Sequence, residues 1–191
     1  MIGHAVAGFS SSEPRLERGQ QELQDRAVTI RSAHPADIPD LMRMKLALAA
    51  ADDAVGSVRA TPEDWNRDLF GATPRFVAFI ATRNGVAVGM ATCSDRYITG
   101  WTGPTVYLQD LFVDPTCRHR GIGAALMTRV AAHAKDRGSP IIELNMRADN
   151  PAGDFYQRQG FVRVDHCAVY VAGAHAVNAL AKGAADEQTP L

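Results

Sequence analysis

The sequence has little of what typifies secreted, membrane-spanning or polyanion-binding proteins. Its three cysteines are odd in number and widely spread, so we expect free thiols and a reducing compartment, the cytoplasm, instead of a disulfide framework. No apolar run approaches the ~20 residues that cross a bilayer, and we expect no signal peptide. The formal net charge is −1, which argues against nucleic acid or a membrane surface as a partner.

Zinc-type spacing of cysteine and histidine is absent as well, so we expect no metal. The 191 residues are 46% hydrophobic, enough for one domain with a sizeable core. Composition divides the chain into an N-terminal extension (1–27), a domain (28–182) and a polar tail (183–191).

Apolar periodicity predicts an α/β (α+β) fold with a mixed sheet. We expect about six to seven strands and about four to five helices. The predicted strands are Val28–Arg31, Arg75–Arg83, Val86–Asp95, Thr105–Val113, Ile141–Met146, Phe161–Val164 and Ala168–Val171. The main predicted helices are Pro35–Ala50, a segment from Thr61 to Gly71, Ala124–Arg137 and Pro151–Gln159.

A basic, glycine-containing turn joins the Thr105–Val113 strand to the next helix. It reads Arg118-His119-Arg120-Gly121-Ile122-Gly123. Glycines let the backbone approach a ligand, and the free N–H groups at a helix start favour an anion. The turn therefore predicts a phosphate or pyrophosphate site. It lacks the Lys-Ser/Thr ending of a P-loop, and Leu126 stands at the third glycine position of the dinucleotide fingerprint.

This turn resembles the pyrophosphate loop of the GNAT superfamily of N-acetyltransferases. A second segment, Asp149 to Phe161, is similar to that superfamily's Asn-x-x-Ala-x-x-Phe/Leu-Tyr-x-x-x-Gly-Phe. The resemblance implies a GNAT fold from about Val28 to Val171, with a single mixed, mostly antiparallel sheet flanked by helices. It also implies acetyl-CoA as cosubstrate. The cofactor-binding residues it implies are Leu111, Phe112, Val113, Arg118, His119, Arg120, Gly121, Ile122, Gly123, Ala124, Asp149, Asn150 and Ala152.

The same resemblance assigns chemical roles within these segments. Tyr156 stands where the family has a tyrosine near the thioester sulfur, so we expect it to act as general acid; a phenol of pKa ~10 stays protonated at neutral pH. Backbone groups of Leu111–Val113 would hold the pantetheine arm at a splay between two strands, and one N–H there would serve the oxyanion. Asp149 replaces the usual Asn, and Asn150 is the alternative for that contact.

The segment from Trp101 to Val113 is similar to the spermidine/spermine (diamine) acetyltransferase branch. Trp101, Gln109 and Asp110 are the implied substrate-binding residues. Gln109 stands where that branch has a glutamate, and Thr99 where it has a second acid, so the pocket has lost negative charge. Alternation puts Asp110 on the opposite strand face from Gln109 unless a bulge re-aims it. We therefore expect a small primary amine with fewer positive charges than spermidine, such as an amino acid, diamine or related metabolite.

Two other hypotheses about the function stay open. The chain could be a catalytically weak acetyl-CoA-binding sensor or interaction module, or it could acetylate a protein or peptide amine. The branch resemblance also implies a homodimer.

Overall fold

The computed structural model describes residues 28–100, 103–165, 172, 174–178 and 181. The chain divides into two compact units, Met1–Arg147 and Ala148–Leu191. Among the described residues, the first unit contains the sheet and three α-helices, and the second contains two short helical segments.

The first unit is built on a five-stranded sheet in the order of the sequence. Neighbouring strands from β1 to β4 are antiparallel, and β5 runs parallel to β4. Asn84 and Gly85 join β2 to β3 with φ of 53° and 74°, the positive values that a two-residue hairpin turn requires. The strands are β1 (Val28–Ser32), β2 (Val77–Arg83), β3 (Val86–Tyr97), β4 (Pro104–Val113) and β5 (Ile142–Glu143).

Three α-helices accompany this sheet. They are α1 (Ile38–Ala51), which follows a 3-10 turn at Pro35–Asp37, α2 (Pro62–Phe70) and α3 (Ile122–Asp136). The second unit has α4 (Gly153–Arg158), and residues 174–178 are helical. The order of elements through α4 is the predicted one, with boundaries that differ by a few residues.

The start of α2 shows why the sequence folds there as expected. The Thr61 side chain accepts a hydrogen bond from the Asp64 N–H, and the Asp64 carboxylate accepts one from the Thr61 N–H. This reciprocal capping box satisfies two donors that a helix start leaves unpaired. Trp65 and Leu69 then face inward one turn apart, and the Trp65 ring meets Phe76 edge-on at 5.4 Å.

The sheet is covered on both faces. α1 and α2 bury Leu41, Met44 and Trp65 against Ile80 of β2, Met90 of β3 and Phe112 of β4. The strand residues that alternate with these point to the other face of the sheet. There Phe79 of β2 contacts the His133 ring and the Arg129 guanidinium, both from α3.

Gly89 allows α3 to approach β3 closely. A Cβ at this position would lie 2.9 Å from the Phe112 carbonyl oxygen and 3.3 Å from Leu126 Cδ1. The first distance is shorter than a carbon–oxygen contact tolerates. A side chain here would therefore separate β3 from β4 or push α3 away from the sheet.

The sheet is smaller than predicted. The described residues form five strands, not six to seven, and β5 has two residues instead of the expected Ile141–Met146. A strand needs a neighbour to pair with, and β5 leaves β4 after Glu143. Residues 161–164 are not a strand either; Val162 and Val164 are exposed, so their alternation does not reflect a buried face. The predicted strand Ala168–Val171 lies outside the described residues.

Candidate active site

The geometry of β4 is the first feature of the candidate site. β4 pairs with β3 along its length, whereas its pairing with β5 covers only Val106 with Ile142 and Tyr107 with Glu143. β4 continues to Val113 beyond this short ladder, and the chain after Glu143 is coil. Across residues 108–113, no described residue pairs with β4 on its β5 side.

The basic turn follows β4 after a 3-10 turn at Pro115–Cys117. Arg118 Nε donates to the Val113 carbonyl oxygen at 3.0 Å, which ties the turn to the end of the strand. His119 and Gly121 have φ of 60° and 79°, in the left-handed region that glycine enters freely. Arg118, His119 and Arg120 are exposed, so their charges are available at the surface of the turn.

Gly121 is the N-cap of α3. No side-chain cap bonds this helix start, and its first turn contains no acid. Ile122 is buried and anchors the helix to the core, whereas Gly123 and Ala124 are partly exposed. The first N–H groups of a helix lack intrahelical partners and carry the positive end of its dipole. The start of α3 thus has the donors and charges that suit an anion.

A β-bulge lies in the middle of β4. Thr92 of β3 is opposite Asp110, but its neighbour Cys93 is opposite Leu108, so Gln109 is the extra residue. Gln109 Nε2 donates to Ser94 Oγ at 3.0 Å, and Asp110 Oδ2 accepts from Thr92 Oγ1 at 2.7 Å.

Thr92 and Ser94 are two residues apart on one strand and share a face. The bulge therefore turns Gln109 and Asp110 toward the same side of the sheet, the side covered by α1. Simple alternation would have placed them on opposite faces, so the bulge is the feature that re-aims Asp110. The Gln109 side chain is exposed, and that of Asp110 is buried.

Lys45 of α1 completes this cluster. Its Nζ donates to Asp110 Oδ1 at 2.6 Å, with side-chain exposure of 30% for Lys45 and 6% for Asp110. Sequence reasoning singled out Gln109 and Asp110 but missed Lys45, Thr92 and Ser94. The available signal was a lysine within the apolar stripe of α1, four residues after the buried Leu41.

In the second unit, α4 carries Tyr156. The Tyr156 ring packs edge-on against Phe155 and Phe161, with centroid distances of 5.2 and 5.6 Å. Asn150 Oδ1 accepts a hydrogen bond from the Ala152 N–H at 2.9 Å, and Ala152 is the N-cap of α4. The Asn150 side chain therefore fixes the start of the helix that presents Tyr156. Asp149 lies just before this turn and is exposed.

Three further predictions concern Trp101, metal ions and membrane-spanning segments. Trp101 lies outside the described residues. Across 28–100 and 103–165, together with the few described positions beyond, no three His, Cys, Asp or Glu side chains cluster as metal ligands would. Over the same part of the chain, no helix is long and apolar enough to cross a membrane.

The model of the acetyltransferase (GNAT) family matches residues 42–161, a span that contains β4, the basic turn and α4. The chain belongs to the GNAT family. This confirms the family, the activity class of acetyl-CoA-dependent N-acetyltransferase, and acetyl-CoA as the cosubstrate.

Relatives agree with the branch expected for this GNAT protein. It is 31% identical over 134 residues to the thialysine N-epsilon-acetyltransferase of Mus musculus, covering 63% of this chain and 78% of that protein. It is 33% identical over 109 residues to the spermidine/spermine N(1)-acetyltransferase-like protein 1 of Homo sapiens, covering 53% of this chain and 16% of that protein.

A solved structure confirms the GNAT fold. The aminoglycoside N-acetyltransferase AAC(6')-Iy in complex with CoA superimposes with a TM-score of 0.62 at 23% identity. The match covers 76% of this chain and 95% of that one.

Proposed function

We propose that this GNAT protein transfers the acetyl group of acetyl-CoA directly to a primary amine of a small molecule. The observation that carries the proposal is the β4 edge at residues 108–113, which has no strand partner among the described residues on its β5 side and leads into the basic turn at the start of α3. An extended pantetheine arm can add to such an edge as a further strand, by backbone hydrogen bonds. Its pyrophosphate would then reach Arg118, Arg120 and the first N–H groups of α3.

Leu111, Phe112 and Val113 are the residues we assign to the arm. Their side chains are buried or partly buried, so the rigid strand, not a flexible side chain, would present the binding groups. An N–H of this segment would donate to the thioester carbonyl oxygen as it becomes an oxyanion. Fixed backbone donors are effective here because they need no reorganisation during the reaction.

The reaction is a direct transfer. The amine nitrogen forms a bond to the acetyl carbon, the carbon–sulfur bond breaks, and the amine passes its extra proton to water. We assign to Tyr156 the donation of its hydroxyl proton to the departing thiolate, after which solvent reprotonates the phenolate. Packing between Phe155 and Phe161 holds the ring in one orientation, as a positioned acid requires.

The acceptor we favour is a small amine with fewer positive charges than spermidine. Gln109 is neutral where the diamine branch has an acid, and its amide is engaged by Ser94. The mouse relative is named for thialysine, an amino acid, and the aminoglycoside enzyme also acts on a small molecule. These names support a small-molecule acceptor over a protein amine.

The first experiment measures thiol release from acetyl-CoA across polyamines, diamines, amino acids, aminoglycosides and a lysine peptide. We expect turnover with a small amine. The Tyr156→Phe variant keeps the ring and removes the proton, so we expect kcat to fall by about 10²–10⁴-fold with the KM for acetyl-CoA little changed. Tyr97→Phe, which removes the hydroxyl of an exposed tyrosine, is the matched control.

The contrary outcomes are distinct. Full activity of Tyr156→Phe would show that the Tyr156 hydroxyl takes no part in the proton transfer. Bound acetyl-CoA with no turnover of any amine would support the sensor reading, and turnover of the peptide alone would identify a protein acetyltransferase.

A further inference from the structure

The charges at the β4 bulge carry information about the acceptor. Asp110 is the acid that the diamine-like segment retains, and a polycation would need its negative charge. In this protein both Asp110 oxygens already have donors, Lys45 Nζ on Oδ1 and Thr92 Oγ1 on Oδ2. The negative charge of the Asp110 carboxylate is therefore compensated by Lys45, and its side chain is almost entirely buried.

The accessible member of this ion pair is the cation. The Lys45 side chain is 30% exposed against 6% for Asp110. An ammonium group has three donors, and Asp110 takes one of them. Because Asp110 fixes its position, the Lys45 ammonium offers directed donors at little further cost in side-chain entropy.

The other acids near this face of the sheet are paired or distant. Arg96 lies two residues beyond Ser94 on β3, forms an ion pair with Glu143 of β5, and stacks over the Tyr107 ring at 4.8 Å. Asp52, at the end of α1, is seven residues from Lys45 and so about 10 Å away along the helix axis. Glu143 is thus engaged by Arg96 and Asp52 is distant, so neither acid competes with a ligand for the exposed ammonium.

We propose that Lys45 is a specificity-determining residue whose ammonium, held on Asp110, receives the carboxylate of an amino-acid acceptor. This rests on the proposed acetyl transfer, which places the acceptor amine near Gln109. A carboxylate can accept the ammonium donors that Asp110 leaves unused, whereas a diamine would bring a second cation toward Lys45. The acceptor class is thus amino acids with a side-chain amine in preference to diamines.

The test compares two acceptors that differ only by the carboxylate, L-lysine and 1,5-diaminopentane. We expect wild-type kcat/KM to be at least about tenfold higher for lysine, the size of effect typical of a charge-assisted hydrogen bond. The variants are Lys45→Met, Lys45→Arg and the double variant Lys45→Met with Asp110→Asn. The double variant removes both charges and so avoids leaving Asp110 buried without its partner.

The ratio of the two kcat/KM values separates a specificity role from a structural one. We expect it to fall to about one in the double variant and to survive largely in Lys45→Arg. Lys135→Met removes an exposed lysine from α3 on the opposite face of the sheet and should leave the ratio unchanged. An unchanged ratio in the double variant, or a wild-type preference for the diamine, would overturn the proposal.

Calorimetric binding of both acceptors to the CoA-loaded protein gives a readout that does not depend on turnover. Lysine should bind more tightly than 1,5-diaminopentane, and the double variant should lose that difference. If neither amine is acetylated but the binding difference depends on Lys45, the transfer assignment fails and the recognition assignment holds. If both amines are acetylated without any dependence on Lys45, only the recognition assignment fails.

Discussion

The Cys93 thiol is an example of a single group controlled by its surroundings. Cys93 is fully buried in β3. Burial, with a smaller contribution from the Asp95 charge, raises its pKa to about 12. Only the thiolate reacts with disulfide reagents, so the native protein should protect this cysteine at pH 8.

Two measurements check the Cys93 thiol. Peptide mapping after labelling with a disulfide reagent should find Cys93 unmodified in the native protein and modified in urea. Between about pH 9 and 12 the unfolded chain loses the thiol proton while the folded chain keeps it, so stability falls as pH rises. Between pH 8 and pH 10 the free energy of unfolding should fall by about 1 kcal/mol more for the wild-type protein than for Cys93→Ala. Equal labelling with and without urea would contradict this account.

At Gly89 a single added carbon atom would disturb the packing of the sheet. We expect Gly89→Ala to destabilise the protein by about 1–3 kcal/mol, because the new Cβ overpacks the contact between β3 and Phe112. Urea unfolding measures the change. Gly56→Ala is the control, since nothing lies within 4 Å of a Cβ at that position. Equal stability of the two variants would show that β3 and β4 accommodate the methyl group freely.

At the scale of elements, the start of α2 makes the next prediction. Thr61→Ala removes the hydroxyl that accepts from the Asp64 N–H and should cost about 1 kcal/mol. Thr61→Ser keeps that acceptor and should cost much less. Thermal unfolding measures both; for a chain of this size about 1 kcal/mol corresponds to a shift of about 2–4 °C. Similar losses in the two variants would point to the Thr61 methyl group instead of the cap.

The elements that sequence predicted well are those with local signals. Thr61, Pro62 and Asp64 specify a helix start by themselves, and Asn84-Gly85 specifies a hairpin. β5 was predicted too long because its length depends on where it leaves β4, which no local pattern encodes. The Gln109 bulge depends likewise on the register between β3 and β4, and Lys45 meets Asp110 only because α1 packs over that bulge.

The whole chain raises the question of which residues the enzyme needs. We expect a fragment of residues 28–182 to keep the kcat/KM of the full chain within about twofold, because the polar flanks supply little apolar surface for burial. Sedimentation of both forms should give a homodimer. A large loss of activity in the fragment would show that residues 1–27 or 183–191 contribute to the site, and a monomer would contradict the dimer expected from the branch resemblance.

Binding of acetyl-CoA should stabilise the whole molecule. A ligand that binds only the folded state at a hundredfold excess over its Kd adds about 2.7 kcal/mol, which for this size corresponds to about 5–11 °C in Tm. Replacing Arg118 and Arg120 by Gln removes two charges from the turn before α3, so the shift at the same concentration should shrink. Both side chains are exposed, and the bond from Arg118 to the Val113 carbonyl oxygen lies at the surface, so the unliganded Tm should fall by only a few degrees.

The control variant removes an arginine charge outside this turn. Arg83→Gln at the β2–β3 hairpin also removes an arginine charge and should leave the acetyl-CoA shift intact. A full shift in the Arg118/Arg120 variant would mean that the backbone donors of α3 hold the pyrophosphate without help from these charges. Loss of the shift in the Arg83 control would instead indicate a general effect of net charge on the anionic ligand.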